Sequence, residues 1–219
     1  MKFKYFLVLL LSISQFAHSE LLPFNNPKPV EQLNVWAIKG LALKQQPAMS
    51  AKTILTIAYG QPVNVIDAKF FGTATMPVKN NSLIKTLKGN WIKVSYKGKQ
   101  GYVFDAYLLK IPPFLIDQFG VSESEEDYLK RNYGVARTNR VKGKDGYEKT
   151  TTSYKNGNIS IESFFDGCID TELYLKGLTY QEALVFMEPR FSNDHNTPME
   201  DLKIVKLKGA VKISYYCCD

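Results

Sequence analysis

The chain has 219 residues, of which 45% are hydrophobic and 22% charged, and it carries a formal charge of +7. That balance excludes a disordered polymer and suits one large or two small globular domains. A zinc site is a poor reading, because the chain has three cysteines and two histidines and no CxxC spacing.

Met1 to Ser19 has the form of a secretion signal. Lys2 and Lys4 make a basic start, Phe6 to Ile13 an apolar core, and Ala17-His18-Ser19 a small-x-small site, so cleavage is expected after Ser19. The apolar core is too short to be a comfortable permanent membrane span, and no second long apolar run follows. The expectation is a periplasmic or secreted protein with no stable membrane anchor. Residues 20–32 contain Pro23, Pro27 and Pro29 and read as an irregular lead-in.

Charge then divides the chain. Glu20 to Lys110 holds twelve Lys against four acids, whereas Ile111 to Asp219 holds fourteen basic and seventeen acidic residues. With Ile111-Pro112-Pro113 breaking any regular element, the boundary falls near Lys110, giving domains at 33–110 and 111–219. The basic first domain could face anionic cell-wall polymer, membrane phosphate or an acidic protein. Nucleic acid is not an expected partner, since Lys without Arg is not the usual chemistry for reading bases.

In the first domain, strands are expected at Asn34–Ile38, Lys52–Ile57 and Gln61–Ala68, with Gly40 to Lys44 between the first two. Phe70 to Lys88, rich in Gly, Thr, Asn, Ser and Pro, reads as a long loop. Ile92, Val94 and Tyr96 alternate with Trp91, Lys93 and Ser95, which is strand periodicity. Lys97-Gly98-Lys99 turns the chain, and Gln100 to Phe104 returns before the short turn Asp105–Tyr107. Five short strands of this kind suit a small barrel.

These motifs resemble the bacterial SH3-type (SH3b) domain. Gly40-Leu41-x-Leu43-Lys44-x-x-Pro47, Tyr59-Gly60-x-x-Val63-x-Val65, Gly89-x-Trp91-Ile92-Lys93-Val94, Gly101-Tyr102-Val103 and Tyr107-Leu108 follow that family's order and spacing. Leu43-Lys44 departs from its usual Val-Arg, and Asp67 to Lys88 is longer than its compact loop. The resemblance implies a small β-barrel and a non-catalytic module that binds cell-wall peptidoglycan or holds an envelope protein. The expected ligand residues are Trp91, Tyr102 and Tyr107, at strand ends or outward-alternating positions, with Phe70 and Phe71 at the mouth of the long loop. The competing expectation is that Trp91 and Tyr102 only cover the barrel end.

In the second domain, Ser122 to Arg131 opens with capping chemistry and acids in a first helical turn, and Tyr133-Gly134 stops that helix. Strands are expected at Tyr147–Tyr154, Ile159–Phe165 and Cys168–Leu175, with Asn156-Gly157 turning the first pair. Thr179-Tyr180-Gln181-Glu182 is a capping box before a helix over Ala183–Met187 that Pro189 ends. Leu202–Leu207 and Val211–Tyr216 complete the set. The whole chain is thus expected to be mainly β, an SH3-like barrel followed by an α+β domain whose antiparallel sheet carries two helices on one face.

Export implies an oxidising compartment, so Cys168 is expected to pair with Cys217 or Cys218. Signals for catalysis are sparse. His195 lies in a polar loop, and Asp166, Asp170 and Glu172 cluster around one strand, where a solvated sheet face is the simpler reading. The glycines form no phosphate-binding pattern, and no cofactor is expected. Three functions are compatible with these residues. The first is an exported binding protein that is not an enzyme, the second an inhibitor or immunity protein acting on a toxin or wall hydrolase. The third is an envelope enzyme using His195 or the Asp170/Glu172 pair.

Overall fold

The computed structural model describes residues 31–67, 69–79, 84–191 and 200–218. The expected leader and most of the expected lead-in, together with the segment around His195, lie outside the described residues. Among the described residues the fold is mainly β with two α-helices, built on two antiparallel sheets.

The first sheet uses β1 (Gln32–Val35), β2 (Leu41–Lys44), β3 (Thr53–Ile57), β4 (Pro62–Asp67), β5 (Thr73–Lys79), β6 (Ile84–Tyr96), β7 (Lys99–Phe104) and β8 (Leu108–Leu109). Their order is β3-β2-β7-β6-β4-β1-β8, with β5 paired to β6 off that path. Alternation supplies the core: Val63 and Val65 of β4 and Ile92 and Val94 of β6 point in, joined by Leu33, Leu43, Val103 and Leu108. Lys97 and Gly98 both adopt positive φ, as the two-residue turn between β6 and β7 requires. A 3-10 turn at Asp105–Tyr107 then delivers Leu108 and Leu109 to β1.

The stretch expected to be a loop, Phe70 to Lys88, is instead largely strand. Thr73 pairs with Asn90 and Met76 with Leu87, so β5 lies along the first half of the thirteen-residue β6. Its inner face is short of apolar residues, with Phe71, Ala74 and Met76 packed inward while the threonines face out. Pro77 is tolerated because β5 is bonded on one side only. Gly89 is required where β6 crosses the 3-10 turn, since a Cβ there would stand 2.7 Å from Asp105 Oδ1 and from the Phe104 ring.

The second sheet has the order β13-β14-β12-β11-β10-β9. Its strands are β9 (Val135–Lys142), β10 (Glu148–Tyr154), β11 (Ile159–Phe165), β12 (Cys168–Lys176), β13 (Glu200–Leu207) and β14 (Ala210–Cys218), with α1 (Glu125–Tyr133) and α2 (Tyr180–Phe191) on one face. β9 has no counterpart among the expected strands, because every residue in it is exposed and it carries no apolar alternation. Ser124 caps α1 by accepting from the Asp127 amide. The Thr179–Glu182 box forms as read, each side chain accepting the other residue's backbone amide. Pro189 does not end α2, which runs on to Phe191; the proline removes the bond its amide would make to the Val185 carbonyl, and the buried run Ala183–Met187 holds the helix in place.

Each sheet is confined to its own half of the chain, but the cores meet at a seam. Trp36, just after β1, is fully buried among Phe114, Tyr128 and Phe186, with ring centroids 5.7, 6.3 and 5.7 Å away. Its indole N–H donates to the Ile111 carbonyl at 3.2 Å, and the Tyr128 hydroxyl donates to Pro112 at 2.8 Å. The Pro112-Pro113 segment is therefore clamped between the halves. Cys168 is disulfide-bonded to Cys218, its partner across β12 and β14, and Cys217 lies outside the bridge on the opposite side of the strand. No helix of the described residues is long and apolar enough to cross a membrane.

Trp36→Ala is expected to cost about 3–5 kcal/mol. In urea unfolding followed by circular dichroism, both sheets should melt together and earlier. Cys168→Ser should cost about 2–4 kcal/mol, whereas Cys217→Ser should leave the urea midpoint nearly unchanged.

Candidate functional site

The seam leaves a cleft of about 330 Å3 between the first sheet and α2. One wall is the connection from Ala37 to Gly40 and the start of β2, including Ala42 and Lys44. The other walls are Met49, Met76, Trp91, Phe104, Tyr107 and, from α2, Glu188. The lining is mainly apolar with a few charged groups, the usual make-up of a small-ligand site.

Trp91 does alternate outward from the core of the first sheet, as its spacing requires, but it is not a surface residue: only 3% of it is exposed. The outward face at that end of β6 is covered by β5 and the second half of the chain, so Trp91 packs beside Phe104 at 6.3 Å and lines the cleft. Tyr107 also lines it, 6.3 Å from Phe104. Tyr102 and Phe71 are brought together elsewhere, edge to face at 5.0 Å, and both are half-buried. Phe70 stays exposed. The five aromatic residues therefore divide between a cleft, a packed pair and the surface, and they form no continuous aromatic face.

The polar groups are tuned by burial. The Glu188 carboxyl is pushed up to about 7 by desolvation, offset in part by the charge of Lys39 and a hydrogen bond from Tyr107. Burial raises the Tyr107 hydroxyl as well. Behind the cleft, Asp105 is fully buried and accepts from the Asn90 amide at 2.6 Å and from Asn90 Nδ2 at 3.3 Å. This carboxyl is pushed up to about 6 by desolvation, partly offset by those bonds. Asp105 thereby fixes the backbone next to Trp91. Lys44 Nζ donates to the Ala51 carbonyl at 3.0 Å, which holds the Met49 loop against β2.

Glu188, Lys39, Met49 and Met76 are site residues that the motifs do not reveal. The available signal was Glu188 itself, a carboxylate directly following the apolar run Ala183–Met187. The acids considered for catalysis lie on the open face of the second sheet, away from the helices. There Glu172 accepts from Lys212 Nζ at 2.6 Å and from the Tyr174 hydroxyl at 2.9 Å. Its carboxyl is held below the usual range, chiefly by Lys212, which favours a standing ion pair over proton transfer. Asp166 occupies the β11–β12 turn with positive φ. Among the described residues, no group of three or more potential metal ligands is assembled. No protein-family model, curated protein or solved structure matches the chain.

Asp105 has a folded pKa above its unfolded value, so its contribution is most favourable below about pH 4 and is lost as pH rises through about 6. The expected loss from this group is about 2–3 kcal/mol. Asp105→Asn, which keeps an acceptor for Asn90, should flatten the fall in stability between pH 4 and 7 in urea titrations. An unchanged pH profile would contradict this assignment.

Proposed function

We propose that this is an exported, non-catalytic binding protein whose SH3-type half engages cell-wall peptidoglycan or an envelope protein through the seam cleft. The observation that carries the reading is the cleft itself: an apolar, aromatic-lined concavity in which Trp91 and Tyr107 meet a carboxylate from α2. The motif order from Gly40 to Leu108 supports the SH3-type assignment. The leader-like start supports export. Glu172 being held in an ion pair weighs against the enzyme reading.

A second reading, an inhibitor or immunity protein, is favoured by the β11–β12 turn. It exposes Phe164, Phe165 and Ile169 beside the disulfide, a presentation suited to entering another protein's pocket. A stable one-to-one complex with a single toxin or hydrolase would place that reading first.

The test is co-sedimentation of the mature protein with purified peptidoglycan at low and moderate salt. Ala42→Trp, which fills the cleft from an outward position on β2, serves as the blocked variant. Pelleting that persists in moderate salt and falls at least tenfold in Ala42→Trp is the expected result. Pelleting that vanishes with salt would mean attraction to the lysines alone, and equal pelleting of the variant would remove the cleft from wall binding.

A further inference from the structure

Among the described residues, the second sheet ends in a strand bonded on one side only. β9 pairs with β10 alone, and each of its residues is exposed, Val135 and Val141 included. From Arg137 to Lys142 its register with β10 runs without a shift. Other sheet edges are blunted: β13 bulges between Glu200 and Lys203, β5 contains Pro77, and β8 has two residues. A regular, uncovered edge is a template for a further strand.

The ladder shows which groups of β9 are on offer. The Gly143 amide donates to the Tyr147 carbonyl opposite it at 2.8 Å. Bonded and unbonded pairs alternate along an antiparallel ladder, so Arg137, Asn139 and Val141 bond to β10. Thr138, Arg140 and Lys142 turn their N–H and C=O groups outward. The edge is also basic. Arg137, Arg140 and Lys142 lie on β9 and no acid does, in a half of the chain where acids outnumber bases. The chain's other two arginines, Arg131 and Arg190, are held by Glu123 and Glu125. Arg140 is paired with Glu148, whereas Arg137 has no ion pair among the described residues.

We propose that β9 receives an extended acidic segment of a protein partner, added as a further strand of this sheet. The main chain of that segment would bond at Thr138, Arg140 and Lys142, and its carboxylates would meet Arg137 and Lys142. A phosphate polymer has no alternating donors and acceptors with which to use such an edge. A second copy paired through β9 would set the same three cations against each other, and like charges across a strand pair destabilise it. The edge lies outside the seam cleft, so this inference stands apart from the reading of that cleft.

Fluorescence anisotropy of a labelled ten-residue peptide of alternating threonine and glutamate tests this, using the chain expressed from Glu20 onward. Saturable binding is expected, and none for the alternating threonine–lysine peptide. Two further versions carry N-methyl groups on every glutamate or on every threonine. An added strand turns only alternate amides toward its neighbour, so one version should lose affinity at least tenfold and the other keep it. Thr138→Pro removes an outward amide and no bond to β10, and should weaken binding at least tenfold. Arg137→Glu, which leaves the edge amides in place, should also weaken it at least tenfold. Should Thr138→Pro fail to fold by circular dichroism, the methylated pair and Arg137→Glu decide. No binding of the acidic peptide, equal binding of the basic one, or equal behaviour of the two methylated versions would each overturn the inference. Unchanged affinity in a folded Thr138→Pro or Arg137→Glu would do so too. A dimer in sedimentation velocity that Thr138→Pro dissociates would overturn it in favour of a second copy.

Discussion

The burial of Trp36 against Phe114, Tyr128 and Phe186 is the contact on which the rest of the molecule depends. It joins a residue just beyond the first strand to the linker, to α1 and to α2 at once. Large rings meeting edge to face bury much area and add about 0.5–1.5 kcal/mol per pair beyond it. The indole N–H and the Tyr128 hydroxyl both bond to carbonyls of the Ile111-Pro112 link, so the polar ends of these rings are satisfied where water is excluded. A link with two successive prolines could have been a free tether. Here it is the mortar of a shared core.

The seam also explains the chemistry of the cleft. Glu188 lies on the same helix as Phe186, two residues further along, so the helix that buries the ring also brings the carboxylate to the cleft beside the first sheet. Desolvation then raises its pKa, and the Tyr107 hydroxyl orients it. On the first-sheet side, Asp105 holds Asn90 and with it the start of the Trp91 hairpin. Each wall is positioned by a buried carboxyl, Asp105 behind the first sheet and Glu188 bonded to the Tyr107 hydroxyl on the α2 side.

Much of the fold was legible in the residues. Val63/Val65 and Ile92/Val94 alternate as strands with one buried face must, and the Thr179–Glu182 box marked the start of α2. What escaped notice did so for physical reasons. β5 and β9 are polar strands paired on one side, and their hydrogen bonds leave little trace in hydrophobic periodicity. Pro189 looked like a stop, but α2 carries two residues past it because the buried face of the helix outweighs the one lost bond. The site was half legible: Trp91 and Tyr107 could be chosen as large amphipathic rings near strand ends. That a helix of the second half would cover Trp91, and add Glu188 beside it, depends on packing between distant segments.

The most direct measurement of a seam-centred binding site is amide chemical-shift mapping of the labelled protein, expressed from Glu20 onward, with solubilised peptidoglycan fragments. Shifts concentrated at Ala37 to Lys44, Tyr107 and Glu188 are expected. Shifts confined to the open face of the second sheet, around Asp170 and Glu172, or to the β11–β12 turn would contradict it.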